Sequence, residues 1–377
     1  MRILADIDIP YLKGVFEPFA QKVDYLKGKA ISATDLLHTD VLIIRTRTVC
    51  NESLLKGTPV SVIATATIGT DHIDMEYCKA NKITVISAPG CNAGAVVQWT
   101  LSAIFSLMAN DINRLCTKTL GIVGVGNIGS KLQKAAKVLG FKVLLCDPPR
   151  EEREGNSDFT SLSNLVSKSD IISLHVPLNI SGKHKTLNLI NKDILSICKP
   201  NAILLNSARG GVINEHSLIN YLVKANSLRV GIDVWENEPN INLTLLEQAS
   251  ITTPHIAGYS LEGKVNATRI IVESLCKHLG IQINTSEIGA KDTKEKIDVD
   301  ILKHLNNSNI CFNSFFSEMY CIKSDSEKLK ENPEQFESFR NSYKLRREFS
   351  AYHLLNTNNT EVEINWSEIG FDASSSQ

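Results

Sequence analysis

Three short motifs in the middle of the chain carry side chains suited to proton and anion chemistry. Arg209 lies in Asn206-Ser207-Ala208-Arg209-Gly210-Gly211, Glu238 in Asp233-Val234-Trp235-Glu236-Asn237-Glu238-Pro239, and His255 in Thr253-Pro254-His255-Ile256-Ala257-Gly258. A guanidinium grips a carboxylate through two parallel N–H bonds. An imidazole exchanges a proton with a hydroxyl or carbonyl oxygen near neutral pH, and a neighbouring carboxylate fixes its tautomer and stabilises its charged form. Taken singly, each residue is ordinary: an arginine after a strand is usually a surface charge, and a histidine in a loop is usually solvated or a satisfied core group. Here each follows an apolar run that reads as a strand, and ligands collect at the C-terminal ends of strands in open parallel sheets.

The partner for that chemistry is set by a glycine-rich turn upstream. The apolar run Thr119-Leu120-Gly121-Ile122-Val123 flows into Gly124-Val125-Gly126-Asn127-Ile128-Gly129, a helix-like stretch follows, and Asp147 closes the next apolar run. A glycine triplet alone is weak evidence, but one that leaves a strand, opens a helix and precedes an acidic residue at the next strand end is the context of a dinucleotide-binding turn. Gly124 permits the tight turn, Gly126 lets a pyrophosphate approach the backbone, and Gly129 lets helix and sheet pack closely. The free N–H groups at Asn127 and Ile128 and the positive end of the helix dipole suit phosphate. Asp147 accepts hydrogen bonds from ribose hydroxyls and repels a 2′-phosphate, so NAD is expected rather than NADP. A nicotinamide cofactor means hydride transfer.

The elements that must position these groups alternate between strand and helix. In the first ninety residues strands are expected at Arg2–Asp6, Val41–Thr46, Val60–Thr67 and Ile83–Ala88, with helices near Pro10–Gln21, Ala33–His38, Glu52–Lys56 and Ile73–Ala80. The apolar stretch Ala93–Ala109 predicts a long buried helix bridging two domains. Six further strands are expected at Leu120–Val125, Lys142–Asp147, Asp170–Val176, Ala202–Asn206, Arg229–Val234 and Ser250–Thr253, enough for a complete doubly wound sheet. Leu261–Leu279 reads as a helix returning the chain to the first domain.

Beyond about residue 285 the rhythm is lost. An amphipathic helix is expected from Phe336 to Glu348, and Asp372–Gln377 reads as a frayed end. The fold class is therefore α/β. A flavodoxin-like domain of residues 1–93 and 261–285 accompanies a Rossmann-type domain of residues 94–260 and a small C-terminal α+β unit of residues 286–377, too poor in apolar runs for a large core of its own.

Composition narrows the partners. The chain has 377 residues, 43 % apolar and 21 % charged, with a formal net charge of −1, so no sequence-wide field favours nucleic acid or an anionic membrane. No apolar stretch approaches the roughly 18 residues of a transmembrane helix. Residues 1–9 read as a strand, not a signal peptide. The nine cysteines are scattered with no CxxC pair, which suggests neither a metal site nor a disulfide framework and fits a reducing cytoplasm.

The motifs around Arg209, Glu238 and His255, with the stretches Thr65–His72, Ala88–Ala93, Leu145–Arg150 and His255–Lys264, resemble the D-isomer-specific 2-hydroxyacid dehydrogenase family over roughly residues 40–280. The resemblance implies that Arg209 clamps the substrate, that Glu238 tunes, and that His255 is the proton donor or acceptor. It implies contacts to NAD from Asp147, Val176, Ser207, Ala208, Arg209, Asp233 and Gly258, and contacts to substrate from Thr46, Thr67 and Tyr259. The expected substrate is a small phosphorylated hydroxy acid, with Arg45 and Arg47 as candidates for its phosphate, placed on the same side by strand alternation. The segment Phe336–Ser350 is similar to a dimerisation domain found in one branch of the family, which implies a homodimer. Four positions depart from the family pattern: Gln98 and Trp99 stand where an acidic residue and a tyrosine are expected, Thr46 where serine is, and Val176 where threonine is. Asp71 and His72 read as a structural turn and helix cap. Two alternatives remain open at this level: a dehydrogenase of the same family acting on another acid such as 3-phosphoglycerate, or an NAD-sensing binding protein without catalysis.

Overall fold

The computed structural model describes residues 1–108, 112–155, 158–225, 227–306, 309–357 and 364–372. The chain divides into two compact units, Met1–Asn92 with Ser260–Glu295, and Ala93–Tyr259 with Lys296–Gln377.

In the first unit five parallel strands, β1 (Arg2–Asp6), β2 (Lys22–Leu26), β3 (Val41–Ile44), β4 (Val62–Thr65) and β5 (Thr84–Ile86), stand in the order β2-β1-β3-β4-β5. This is the flavodoxin-like order, with the switch between β1 and β3. The inner strands Val-Leu-Ile-Ile and Val-Ile-Ala-Thr are buried at every position, as parallel strands covered on both faces must be. The helix Leu261–Leu279 seats Ala267, Ile271, Val272 and Leu275 on one face of this sheet. Its first turn is capped by the Ser260 hydroxyl and its end by Gly280 in the left-handed conformation.

One expectation fails in this unit, and one strand lies where none was expected. Pro10–Gln21 forms turns rather than a helix: prolines at 10 and 18 remove donors, while Tyr11 and Gly14 take positive φ. The run Lys22–Leu26, whose apolar residues are interrupted by Asp24, pairs along its whole length with β1 at the sheet edge.

The second unit holds six parallel strands, β6 (Thr119–Val123), β7 (Lys142–Cys146), β8 (Ile171–Leu174), β9 (Ile203–Asn206), β10 (Arg229–Ile232) and β11 (Ile251–Thr252), in the order β11-β10-β9-β8-β6-β7. Phe159 adds a single parallel bridge to Leu145 beyond β7, the remnant of a further strand. The helix Ala93–Leu107 is buried around nearly its full circumference, polar Gln98 and Thr100 included; Ala109, the expected end of this helix, lies outside the described residues.

Residues from Lys296 onward, read in the sequence as a separate unit, share the core of this second unit. Two small sheets form there, β12 (Ile297–Asp300) parallel to β15 (Tyr352–Leu355), and β13 (Leu305–Asn306) antiparallel to β14 (Asn309–Ile310). Phe316 stacks on Phe105 of the helix Ala93–Leu107 with centroids 4.8 Å apart, and Phe312 does so at 5.0 Å. Aromatic rings spaced too widely to form an apolar run thus build a core together with the nucleotide-binding sheet. The expected helix from Phe336 to Glu348 ends at Asn341. From Ser342 to Glu348 no helix continues, and Arg346 and Glu348, two residues apart, are both buried. Residues 373–377, expected to fray, lie outside the described residues.

Candidate active site

The glycine-rich turn closes as its sequence demands. Gly124 has φ +87°, and a Cβ there would stand 2.6 Å from the His175 carbonyl oxygen; a Cβ at Gly129 would stand 2.1 Å from that of Gly124. At Gly126, the N-cap of the helix Asn127–Val138, a Cβ would meet only open space, so the exposed backbone there is free to be approached. Asp147 caps the helix Pro148–Glu154 and accepts hydrogen bonds from the N–H groups of Val125 (2.7 Å) and Arg150 (3.0 Å). It therefore ties the end of β7 to the turn, with lone pairs remaining for hydroxyl donors. Arg150 adds a second tie, donating to the Val125 carbonyl (2.8 Å) and the Ser130 hydroxyl (3.2 Å).

A cleft of about 720 Å³ opens over this turn, lined among others by Gly124, Gly126, Asp147, His175 and Val176. Burial pushes His175 down to about 3, so its ring is neutral. Its Nδ1 and the hydroxyl of Ser207 are buried without a hydrogen-bond partner among the described residues. Buried polar atoms in that state call for a polar ligand. The turn, the cleft and the orphaned atoms together fit NAD.

Past the C-terminal ends of β9, β10 and β11 lie the three candidate side chains Arg209, Glu238 and His255. His255 has φ +56°, a conformation that costs energy for a residue with a Cβ, and its N–H donates to the Asp233 carbonyl at 2.8 Å. That backbone aims Nδ1 at Glu238 Oε2, 2.7 Å away. The other oxygen of Glu238 accepts from the Trp235 N–H at 3.0 Å, which fixes the carboxylate. Burial raises the Glu238 carboxyl, but the contact with His255, the Trp235 N–H and Arg340 outweigh it and hold the group below the usual carboxylate range. Arg209 donates to its neighbour's carbonyl, Ala208 O, at 2.8 Å. Close packing beneath it locks the loop: a Cβ on Gly210 would stand 2.0 Å from the Trp235 carbonyl oxygen.

Asp233 is 1 % exposed and staples the loop that carries His255. It accepts from the Thr253 hydroxyl (2.6 Å) and from the N–H groups of Ile256 (2.8 Å) and Ala257 (3.0 Å). Burial pushes its carboxyl up, against the pull of His255 and these donors. Trp99 Nε1 donates to the same Thr253 hydroxyl at 2.9 Å. Gln98 accepts from Arg346 Nε (2.9 Å) and donates to the Arg347 carbonyl (2.9 Å). The two departures Gln98 and Trp99 are thus supports for the His255 loop. Tyr259, after Gly258, receives a hydrogen bond on its hydroxyl from Arg340 Nε at 3.1 Å.

The remaining candidates belong to the first unit. β3 ends at Ile44, so Arg45, Thr46 and Arg47 lie in a turn and strand alternation does not align the two arginines. Arg45 donates to the Asp8 carbonyl at 3.1 Å. Thr67 follows β4, its hydroxyl 2.7 Å from that of Thr65 and 2.9 Å from the Gly69 carbonyl it donates to. Thr65 in turn meets His72 Nε2 at 3.0 Å, which makes His72 structural; the cap of the following helix is Asp74, not Asp71. Lys264 was not anticipated: it stands near Arg45, and burial first, then that positive charge, depress its ammonium. Arg340, equally unanticipated, reaches Glu238 from the C-terminal segment at 3.7 Å, and nothing local in its sequence signals this. Among the described residues no cluster of His, Cys, Asp and Glu could hold a metal, and no helix is long and apolar enough to cross a membrane.

Fold and site define an NAD-dependent dehydrogenase of the D-isomer-specific 2-hydroxyacid class. A family model described as "D-isomer specific 2-hydroxyacid dehydrogenase, NAD binding domain" matches residues 97–257. The chain is 43 % identical to an erythronate-4-phosphate dehydrogenase of Bacteroides fragilis over 95 % of its own length and 100 % of that protein's. It is 39 % identical to the enzyme of that name from Photorhabdus laumondii, over 97 % of each. Solved structures sharing the fold include a D-lactate dehydrogenase from Aquifex aeolicus complexed with NAD and lactic acid, at TM-score 0.60 and 25 % identity, covering 74 % of this chain and 96 % of that one. A 3-phosphoglycerate dehydrogenase of Entamoeba histolytica with bound NAD⁺ matches at TM-score 0.62 and 24 % identity, over 75 % of this chain and 98 % of that one. The chain belongs to the erythronate-4-phosphate dehydrogenase family.

Proposed function

We infer that the chain oxidises 4-phospho-D-erythronate to (R)-3-hydroxy-2-oxo-4-phosphooxybutanoate, reducing NAD, within vitamin B6 (pyridoxal 5′-phosphate) biosynthesis. The observation that carries the chemistry is the 2.7 Å contact between His255 and an ionised, fixed Glu238 at the C-terminal edge of a nucleotide-binding sheet. Bound NAD supplies the hydride acceptor. His255 takes the proton of the substrate's 2-hydroxyl through its outward nitrogen, Nε2, as the C2 hydrogen leaves as hydride. Glu238 keeps Nδ1 protonated and stabilises the imidazolium that forms. Arg209 holds the carboxylate and polarises the carbonyl oxygen as it develops. Ser207, Ala208, Val176, Asp233 and Gly258 would hold the nicotinamide half, Val176 contributing no side-chain hydrogen bond. Thr46, Thr67 and Tyr259 contact the substrate, and Arg45 or Arg47 takes its phosphate.

We infer further that the C-terminal segment pairs two copies into a closed homodimer, and that the protein works in the reducing cytoplasm, a reading supported by nine cysteines with no disulfide between them. Sedimentation of the full chain at micromolar concentration should give a dimer; a monomer would reject the pairing. The substrate reading is tested by following NADH with 4-phosphoerythronate, 3-phosphoglycerate and unphosphorylated erythronate. The first should be strongly preferred; equal rates on all three would leave only the dehydrogenase class.

A further inference from the structure

We propose that the C-terminal segment is a positioning arm of the catalytic centre, with Arg340 holding Glu238 and Tyr259 in place and Arg346 anchoring the loop behind His255. This rests on the roles of His255 and Glu238 proposed above and adds two residues to them. Arg340 ends the helix Phe336–Asn341 and spans two partners, donating from Nε to the Tyr259 hydroxyl at 3.1 Å and placing Nη1 3.7 Å from Glu238 Oε2. The oxygen it faces is the one that contacts His255. The three groups therefore form a row, guanidinium, carboxylate and imidazole, in which the cation favours the ionised carboxylate that the imidazolium requires.

Arg346 secures the same loop from behind. It is 8 % exposed, donates to the Ile256 carbonyl at 2.9 Å, to the Ala95 carbonyl at 3.0 Å and to that of Ala257, and lies over the Tyr320 ring at 4.4 Å. Ile256 and Ala257 are the residues whose N–H groups Asp233 grips. The loop after His255 is thus clamped on its N–H side by an acid of the nucleotide-binding sheet and on its carbonyl side by a base of the C-terminal segment.

The charged and titratable groups around the pair are Arg340, Asp233 after β10, and Glu215 and Glu236, which meet through each other's backbone N–H groups. Tyr259 and Tyr343 close the side beside Arg340, Tyr343 held by Asp325 at 2.8 Å. Of these, only Arg340 brings a positive charge to the outer side of Glu238.

Arg340 is partly exposed, so its replacement leaves the core intact. In Arg340→Gln the NMR-monitored titration of the Glu238 carboxyl and the acid limb of kcat/KM should both move up by about half to one pH unit. KM should rise ~3- to 10-fold through loss of the hydrogen bond to Tyr259. Arg340→Lys should restore the titration, because the charge returns, but not the full KM, because an ammonium lacks the fork that spans both partners. Tyr259→Phe should raise KM without moving Glu238, and combining it with Arg340→Gln should add little further to KM. A Glu238 titration and KM indistinguishable from the parent in Arg340→Gln, or additive KM effects in the double variant, would overturn the proposal. The carboxyl titration needs no substrate, so it decides the arm's role even if 4-phosphoerythronate proves not to be oxidised.

Discussion

Replacing Glu238 with Gln tests the catalytic pair while keeping its shape. The carboxylate lies 2.7 Å from His255 Nδ1, with side-chain exposures of 18 % for Glu238 and 30 % for His255. Two unit charges ~4 Å apart attract by about 4 kcal/mol at an effective dielectric of 20. Partial exposure of the ring and the hydrogen bond a neutral amide retains reduce this, leaving ~1.5 to 3 kcal/mol for the charge-assisted part. Because the imidazole is charged in the transition state and neutral before it, that loss falls on turnover: kcat should drop ~10- to 150-fold. Steady-state NADH formation at saturating substrate measures the drop, and NAD binding followed by protein fluorescence should stay unchanged. A Glu238→Gln enzyme that turns over within about two-fold of the parent, folded and with normal NAD affinity, would show that the carboxylate does not stabilise the reacting histidine, and the reasoning would fail.

Asp147→Ala should weaken NAD and narrow the gap to NADP, and should also lower the melting temperature, since a helix cap worth ~1 kcal/mol goes with it. Asp147→Asn keeps the cap acceptor, so unaltered NAD preference in both variants would place discrimination elsewhere. Glu215, 6 % exposed and pushed up to about 7 by burial and then by the nearby Glu236 and Glu238 charges, makes stability depend on pH. Its folded value is raised, so its contribution is complete below the ordinary value of 4.5 and is lost as pH rises to about 7. Urea unfolding across that window should show Glu215→Gln escaping a decline of at most ~3 kcal/mol, and parallel pH profiles for parent and variant would refute the assignment. Arg45→Ala or Arg47→Ala should raise KM for the phosphorylated substrate ~10- to 100-fold in at least one case while sparing the poor reaction with erythronate; equal effects on both substrates would place the phosphate site elsewhere.

What could be read in the sequence was local. The dinucleotide turn is a contiguous pattern in which Gly124 and Gly129 are forced by contacts within the same unit, while Gly126 leaves its backbone open to approach. Arg209, Glu238 and His255 were legible as candidates because each lies in the short loop that leaves the end of a strand. The second duty of Asp147, tying β7 to the turn through the Val125 N–H, was not, since only the folded turn brings that donor round. The supports of the site were beyond reach for a physical reason. Gln98 and Arg346, Trp99 and Thr253, and Arg340 and Glu238 meet across long stretches of chain, and pairwise contacts of that kind leave no periodicity in either partner. The helix expected over Phe336–Glu348 failed on the same account: an amphipathic pattern at helical spacing gave way to tertiary contacts that draw Arg346 inward beside the loop of His255.

The central claim is tested most directly by NADH formation from 4-phosphoerythronate, measured side by side on the purified full chain and on His255→Asn. The account predicts NAD-dependent turnover by the parent and a fall of ~10² to 10⁴ in the variant with NAD affinity nearly unchanged. No NADH from the parent with this substrate, or turnover by His255→Asn within a few-fold of it, would contradict the account.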